Sequence, residues 1–364
     1  MSILNVMWAG GAPFASIHKV HQQILSHALP SAPVKTWLLQ GGARECGVNV
    51  GEIREWGLTS AQLKGRHFWR LTKPWMRARF HRALKDSDAR LLLLDGLGVA
   101  RTLLPILKGL PHIRVVVIFH GATRLHAGDR ALFQQLPSSQ LALAAVSNTL
   151  ATSLNRDLQV PVVTLRSAFE PAAFHSALLP REEALSRLGL SASGGPILGA
   201  VGRLVSEKGF ICLLDAFAGA LHKRADLRLV IVGEGSARAS LQARIDELGL
   251  REQVLLPGHL DDAARLYRAF DWVAIPSREE GLGLIMQEAV MAGVPVLCSE
   301  LPVFREQLAD SGWYAPVDDV SAWREAILRA FSVSAEAVAA EQFQALAPDQ
   351  AWLSFSQTAR ALLS

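Results

Sequence analysis

Two glutamates frame the stretch with the clearest chemistry, Pro276 to Pro295, which reads PSREEGLGLIMQEAVMAGVP. Glu280 stands just before a helical pattern that starts at Leu284. Glu288 lies about two turns inside it, roughly 12 Å further along at the rise of an α-helix. A carboxylate accepts two hydrogen bonds side by side, which suits vicinal hydroxyls on a sugar ring. Between the two glutamates stand Gly281, Leu282, Gly283 and Leu284. Glycines let backbone approach a ligand closely, and the first N–H groups of a helix, with its dipole, favour an anion. The apolar run Trp272–Ile275 before this turn reads as a buried parallel strand, and Gly293 reads as the stop of the helix.

A second cluster precedes it by roughly seventy residues, Gly202-Arg203-Leu204-Val205-Ser206-Glu207-Lys208-Gly209. Arg203 and Lys208 sit five apart across a turn that opens a helix, so two cations would complement a diphosphate there. Gly233-Glu234-Gly235 and Pro257-Gly258-His259-Leu260 are further turns at the ends of apolar runs. In the first half, Phe119-His120-Gly121 closes the run Arg114–Phe119. A histidine at the carboxyl end of a parallel strand points toward the crevice where open α/β sheets bind ligands, though a lone histidine is more often structural. Ala9-Gly10-Gly11-Ala12-Pro13 follows the first strand and is not a G-x-G-x-x-G, so it does not signal NAD. Asp86-Ser87-Asp88 has the short D-x-D form but sits on a helix-to-strand link, and no metal site is expected from it.

Glu280-Gly281-Leu282-Gly283, Glu288-Ala289 and Ala292-Gly293-Val294-Pro295-Val296 together resemble the signature of retaining glycosyltransferases of family 4, which have the GT-B fold. The G-R-x-x-x-x-K-G element around Arg203 and Lys208 is similar to that family's diphosphate-holding element. The resemblance covers residues 197–310 and, more faintly, the first half. It implies that Arg203 and Lys208 hold the donor diphosphate, and that Glu280 lies by the transferred sugar with His120 against it. It also implies that Glu288 holds the ribose and that the backbone of Gly281–Leu284 serves sugar and diphosphate. Gly11, Gly233 and the main chain of Leu260 would complete the donor site. His120, Glu280, Arg203 and Lys208 are thus the expected catalytic group. No cofactor or metal is expected beyond a nucleotide sugar, a UDP-sugar above all, as co-substrate. Leu165–Glu170 lacks the Asn-Gly turn of many relatives, which marks a divergent member. A sugar-nucleotide epimerase of the same fold and a non-catalytic glycan-binding subunit are the alternatives, and the retained Arg, Lys and glutamates argue against both.

Strand-like and helical runs alternate throughout, which calls for parallel sheets covered by helices. The expected architecture is α/β: two Rossmann-like doubly wound domains facing across a cleft, residues 1–170 with a returning helix 349–364, and residues 171–348. Charge divides the same way. Residues 1–170 hold 20 Lys+Arg against 9 Asp+Glu, and the remainder 17 against 24. The basic half is expected to receive the acceptor, a glycan or lipid-linked molecule. Lys64–Lys85 carries eight Lys+Arg, two His and no acid, interleaved with Phe68, Trp69, Trp75 and Phe80. Arg66, Trp69, Arg70, Lys73, Trp75, Arg77 and Arg79 suit an anionic acceptor or peripheral contact with the inner membrane. A solvated helix face with its Trp residues in the core would also explain the pattern, and nothing resembles a nucleic-acid module. Three scattered cysteines and the lack of a long apolar run point to a reducing, cytoplasmic setting with Met1–Gly11 as a first strand.

Overall fold

The computed structural model describes residues 2–8, 17–43, 50–64, 69–191 and 194–364. The chain divides into two compact units, Met1–Ser167 with Leu353–Ser364, and Ala168–Trp352.

The first unit is built on a parallel sheet of seven strands: β1 (Ile3–Met7), β2 (Val34–Leu38), β3 (Glu52–Glu55), β4 (Leu91–Asp95), β5 (Arg114–Phe119), β6 (Leu141–Ala145) and β7 (Val162–Thr164). Their order is β3-β2-β1-β4-β5-β6-β7. The central strands are apolar runs buried throughout, as a sheet covered on both faces requires. The order reverses between β1 and β4, and there the carboxyl ends open the crevice of a doubly wound sheet. One face packs Leu4, Val6, Leu92, Leu94, Val115 and Val117 into the main core. The other face carries two buried polar residues, Asn5 on β1 and Thr36 on β2, which are direct register partners. In the last helix, Pro348–Leu363, the ring of Phe355 lies 5.7 Å from that of His27.

Residues Trp69–Lys85 form one helix of this unit. Its inward face is Met76, Phe80, Ala83 and Leu84. Phe80 completes an aromatic cluster with Trp56 at 4.3 Å and Trp37 at 6.3 Å. The two tryptophans thus come from the sheet side, whereas Trp75 is 68% exposed and Leu71 84%. Apolar burial at helical spacing is satisfied by Met76, Phe80, Ala83 and Leu84, so the helix turns Trp75 and most of its cations outward.

The second unit holds a parallel sheet of six strands: β8 (Ile197–Val201), β9 (Arg228–Val232), β10 (Val254–Gly258), β11 (Trp272–Ile275), β12 (Val296–Ser299) and β13 (Trp313–Ala315), in the order β10-β9-β8-β11-β12-β13. Alternate residues serve two cores. Ile197, Val230, Val273, Ile275 and Val296 face one way, and Leu198, Leu229, Ile231, Trp272 and Leu297 the other. The switch point lies between β8 and β11, so the turns after these strands stand together. Edge strands β3 and β13 carry no sequence signal of their own. β3 reads Glu-Ile-Arg-Glu and is largely exposed, so pairing with β2, not burial, defines it. Among the described residues no helix is long and apolar enough to cross a membrane.

Candidate active site

In the second unit the two chemistry-bearing turns meet. The turn after β8 runs through a short 3-10 segment, Ser206–Lys208, into the helix Phe210–Leu221. The turn after β11 leads into the helix Leu284–Met291. Gly209 adopts φ +68°, and a Cβ there would overlap the carbonyl oxygen of Pro276. Only glycine allows this approach. The contact places the Lys208 amine on the Glu280 carboxylate, an ion pair with little exposure on either side chain, 18% and 13%. Ser277 Oγ donates to the same Glu280 oxygen at 2.8 Å. Around them, Arg278 N–H donates to the Glu207 carbonyl at 2.8 Å, and the Arg278 side chain donates to the Ser206 carbonyl at 3.2 Å. The diphosphate-type lysine and the sugar-type glutamate are therefore one charge pair, a coupling that sequence spacing does not reveal.

Gly283 has φ +82° and stands at the N-terminus of the Leu284–Met291 helix. Among the described residues nothing accepts from the N–H groups of Gly281, Leu282, Gly283 and Leu284. Four unengaged amides at a helix start form a site for anionic or hydroxyl oxygens. Glu288 is buried at 4% exposure, and the Tyr267 hydroxyl donates to its Oε2 at 2.9 Å. Burial, with the Glu288 carboxylate beside it, pushes the Tyr267 phenol well above its ordinary range, so it stays a donor. One Glu288 oxygen is thus committed within the protein, and Tyr267 joins the site from a segment that carried no motif.

The remaining donor-type residues line the same end of the sheet. Gly233 has φ +150°, and a Cβ there would strike the Gly202 carbonyl oxygen. Its N–H donates to the Gly258 carbonyl at 2.9 Å, so the turns after β8, β9 and β10 stack backbone on backbone. Leu260 packs on the apolar cluster beside β11. Arg203 is exposed and makes no ion pair with a described residue. Gly11 and Arg66 lie outside the described residues, as do the side chains of Trp69 and Arg70. Of the rest of the basic patch, Arg79 lies over the rings of Trp56 and Trp75, at 4.8 and 5.9 Å. Arg77, His81, Arg82 and Lys85 line an open depression of about 570 Å³ with Pro105 and Ile106, and Lys73 is half-buried nearby in sequence.

In the first unit, His120 stands at the switch point with two partners that the sequence did not single out. His21, on the helix Ile17–Leu25, places its Nε2 3.1 Å from His120 Nε2. Asp95, ending β4, places Oδ1 3.7 Å from the same nitrogen and accepts from the Trp8 N–H at 3.1 Å. The ligand atoms of His21, Asp95 and His120 lie within 4.8 Å of one another, so among the described residues these are the three that could share a metal ion. Asp86 and Asp88 belong to no such group. Burial lowers His120 to about 3, with His18 adding to it. Burial likewise puts His21 well below its usual range and raises Asp95 to about 6. At neutral pH both rings are uncharged, so the Asp95–His120 contact is ionic only in distance.

These shifts have a pH signature. At pH 5 the unfolded chain protonates both histidines, at their ordinary 6.5, but not the aspartate, at 3.8. The native unit protonates Asp95, leaves His120 neutral and, by burial, disfavours the proton on His21. The unfolded state then binds more protons, and stability from this cluster rises with pH until about pH 6 to 6.5. Asp95→Asn removes the native proton and should steepen that slope by a further ~1.4 kcal/mol per unit between pH 4.5 and 5.5. Urea unfolding of both proteins across this range measures it. A wild-type-to-variant difference independent of pH would mean that Asp95 is not raised.

Residues 182–342 match the family model described as "Glycosyl transferases group 1". The chain is 31% identical over 159 residues to the 2-deoxystreptamine glucosyltransferase of Streptomyces kanamyceticus, covering 42% of this chain and 41% of that protein. It is 26% identical over 268 residues to the lipopolysaccharide core biosynthesis mannosyltransferase LpsB of Rhizobium meliloti, covering 71% and 73%. The chain thus spans about two fifths of the first relative's length and about three quarters of the second's. Among solved structures, the glycosyltransferase from Rickettsia africae ESF-5 superposes with a TM-score of 0.78 at 15% identity, over 100% of this chain and 98% of that one. Anabaena Alr3699/HepE in complex with UDP and glucose gives 0.74 at 16%, over 100% and 99%. The two parallel sheets and their strand orders are accordingly those of the GT-B fold, and the match to the group 1 model lies in the second unit.

Proposed function

We propose that this chain is a retaining glycosyltransferase of family 4. It would move a sugar from a nucleoside diphosphate donor, a UDP-sugar, to a hydroxyl of a glycan or lipid-linked acceptor. The observation that carries the reading is the Lys208–Glu280 pair set beside four unengaged amides at Gly281–Leu284. A diphosphate bound there meets Lys208, Arg203 and a helix N-terminus, the positive field that a departing diphosphate needs. That field supplies what a metal supplies elsewhere, so transfer is expected to be metal-independent. The bond from sugar carbon to phosphate oxygen breaks, and the acceptor oxygen bonds to that carbon on the same face. The acceptor proton passes to the departing phosphate oxygen. Glu280 orients the ring, and His120 is the sugar-contacting residue that the family resemblance implies.

The UDP named with the Anabaena structure supports the choice of base, and LpsB supports an acceptor in lipopolysaccharide core or exopolysaccharide assembly. Thermal shift and hydrolysis of purified protein against UDP-, GDP-, dTDP- and ADP-sugars, with and without chelator, test the reading. One donor that stabilises the protein and slowly releases its diphosphate despite chelator is the expected result. No response to any donor would move the protein toward a binding subunit.

The acceptor side rests on the outward face of the Trp69–Lys85 helix, which would work at the cytoplasmic face of a membrane. Exposed Leu71 and Trp75 beside Arg77 and Arg79 form an apolar, cationic surface. Each cation near an anionic bilayer contributes about 1 kcal/mol. Converting Arg77 and Arg79 to Gln should therefore weaken binding to phosphatidylglycerol vesicles by about 30-fold. Sedimentation that ignores both changes would remove the membrane contact.

A further inference from the structure

A chain of hydrogen bonds behind His120 runs through four residues, and its directions are set from the far end. Thr36 Oγ1 lies 2.7 Å from the Val50 carbonyl, which can only accept, so the Thr36 hydroxyl donates there. Its oxygen then accepts from Asn5 Nδ2 at 3.4 Å. This turns Asn5 Oδ1 toward His21, whose Nδ1 lies 2.7 Å away and must carry a proton to donate. His21 is 1% exposed and uncharged by burial, so its Nε2 is a bare acceptor. The neighbour at 3.1 Å is His120 Nε2, which must donate.

We infer that Asn5 and His21 hold His120 in the Nε2–H tautomer and leave its Nδ1 as an unprotonated acceptor, so that His120 receives a hydroxyl group and not a phosphate or carboxylate oxygen. His120 Nδ1 has no hydrogen-bond partner among the described residues, and the side chain is 11% exposed. A bare ring nitrogen attracts an O–H donor and repels anionic oxygen. Asn5, His21 and Thr36 are positioning residues, and the sheet register that opposes Asn5 to Thr36 builds them in. That the hydroxyl belongs to a sugar rests on the function proposed above; the tautomer does not.

Long-range proton–nitrogen correlation on the full-length protein, labelled with 15N-histidine at pH 7.5, tests it. His120→Gln and His21→Gln spectra assign the signals. The expected pattern is pyrrole-type Nε2 and pyridine-type Nδ1 for His120, and the reverse for His21. A pyrrole-type Nδ1 on His120 would overturn the inference. So would pyridine-type Nε2 on both rings, the state of a pair sharing a metal. Asn5→Leu removes the acceptor and should mix the His120 tautomers, lowering kcat at least about tenfold with KM little changed. Asn5→Asp keeps an acceptor oxygen and should restore the tautomer. If Asn5→Leu does not fold, the wild-type spectrum still decides. The expected tautomers in a protein that turns over no nucleotide sugar would leave the inference standing and sink the function.

Discussion

Lys208→Ala is expected to lower sugar transfer by about 30-fold or more, from the ~2–5 kcal/mol lost when one partner of a desolvated charge pair is removed. The loss has two sources. The departing diphosphate loses a cation, and Glu280, held by Lys208 and Ser277, loses the charge that balances it. An unbalanced carboxylate beside the anion site would repel the donor. Glu280→Gln in the Lys208→Ala background should therefore cost less than it does alone, with a coupling of roughly 0.5–3 kcal/mol. Lys208→Arg should not rescue, because a guanidinium is planar and bulkier than the ammonium that fits between the two turns. Steady-state kinetics of the four proteins in the cycle decide the matter. Near-wild-type turnover by Lys208→Ala would falsify the assignment, and strict additivity would mean that the two residues act separately.

Gly209→Ala should do comparable damage without touching a charge. Its φ of +68° is strained for any residue with a Cβ. The new methyl would also overlap the Pro276 carbonyl oxygen and approach its carbon at 3.0 Å. Backbone cannot turn aside as a side chain can, so the turns after β8 and β11 must part. Strain of ~1–2 kcal/mol from the conformation and ~1–3 kcal/mol from overpacking give a destabilisation of about 3 kcal/mol. The Lys208–Glu280 pair would separate with them, so activity should fall further than the stability loss alone accounts for. Denaturant midpoints and kcat measured together test this. A variant within about 0.5 kcal/mol of wild type would show that the turns do not depend on this contact. Gly249 makes the control. It too has positive φ, +69°, but a Cβ there meets nothing within 4 Å, so its alanine variant should show the conformational cost alone.

Much of this protein was legible in its residues. Continuous apolar runs such as Leu91–Leu94 and Val115–Phe119 announce strands buried on both faces, because nothing else buries such a run so briefly. Glycines at 209, 283 and 293, with the Glu280–Glu288 and Arg203–Lys208 spacings, located the turns, since a positive φ or a close approach leaves a mark on residue type. The sequence did not reveal pairings across long separations. Lys208 and Glu280 are 72 residues apart, His21 and His120 are 99 apart, and Tyr267 reaches Glu288 from a segment without pattern. Asn5 reads as one polar residue in an apolar strand until the β1–β2 register sets it against Thr36 and the Ile17–Leu25 helix brings His21 above it. Local sequence determined where the glycine turns and their charged residues stand, because conformation there is a short-range matter of sterics and burial. Tertiary structure alone decided which groups neutralise, orient or protonate one another, because those energies depend on distances set by sheet order and register.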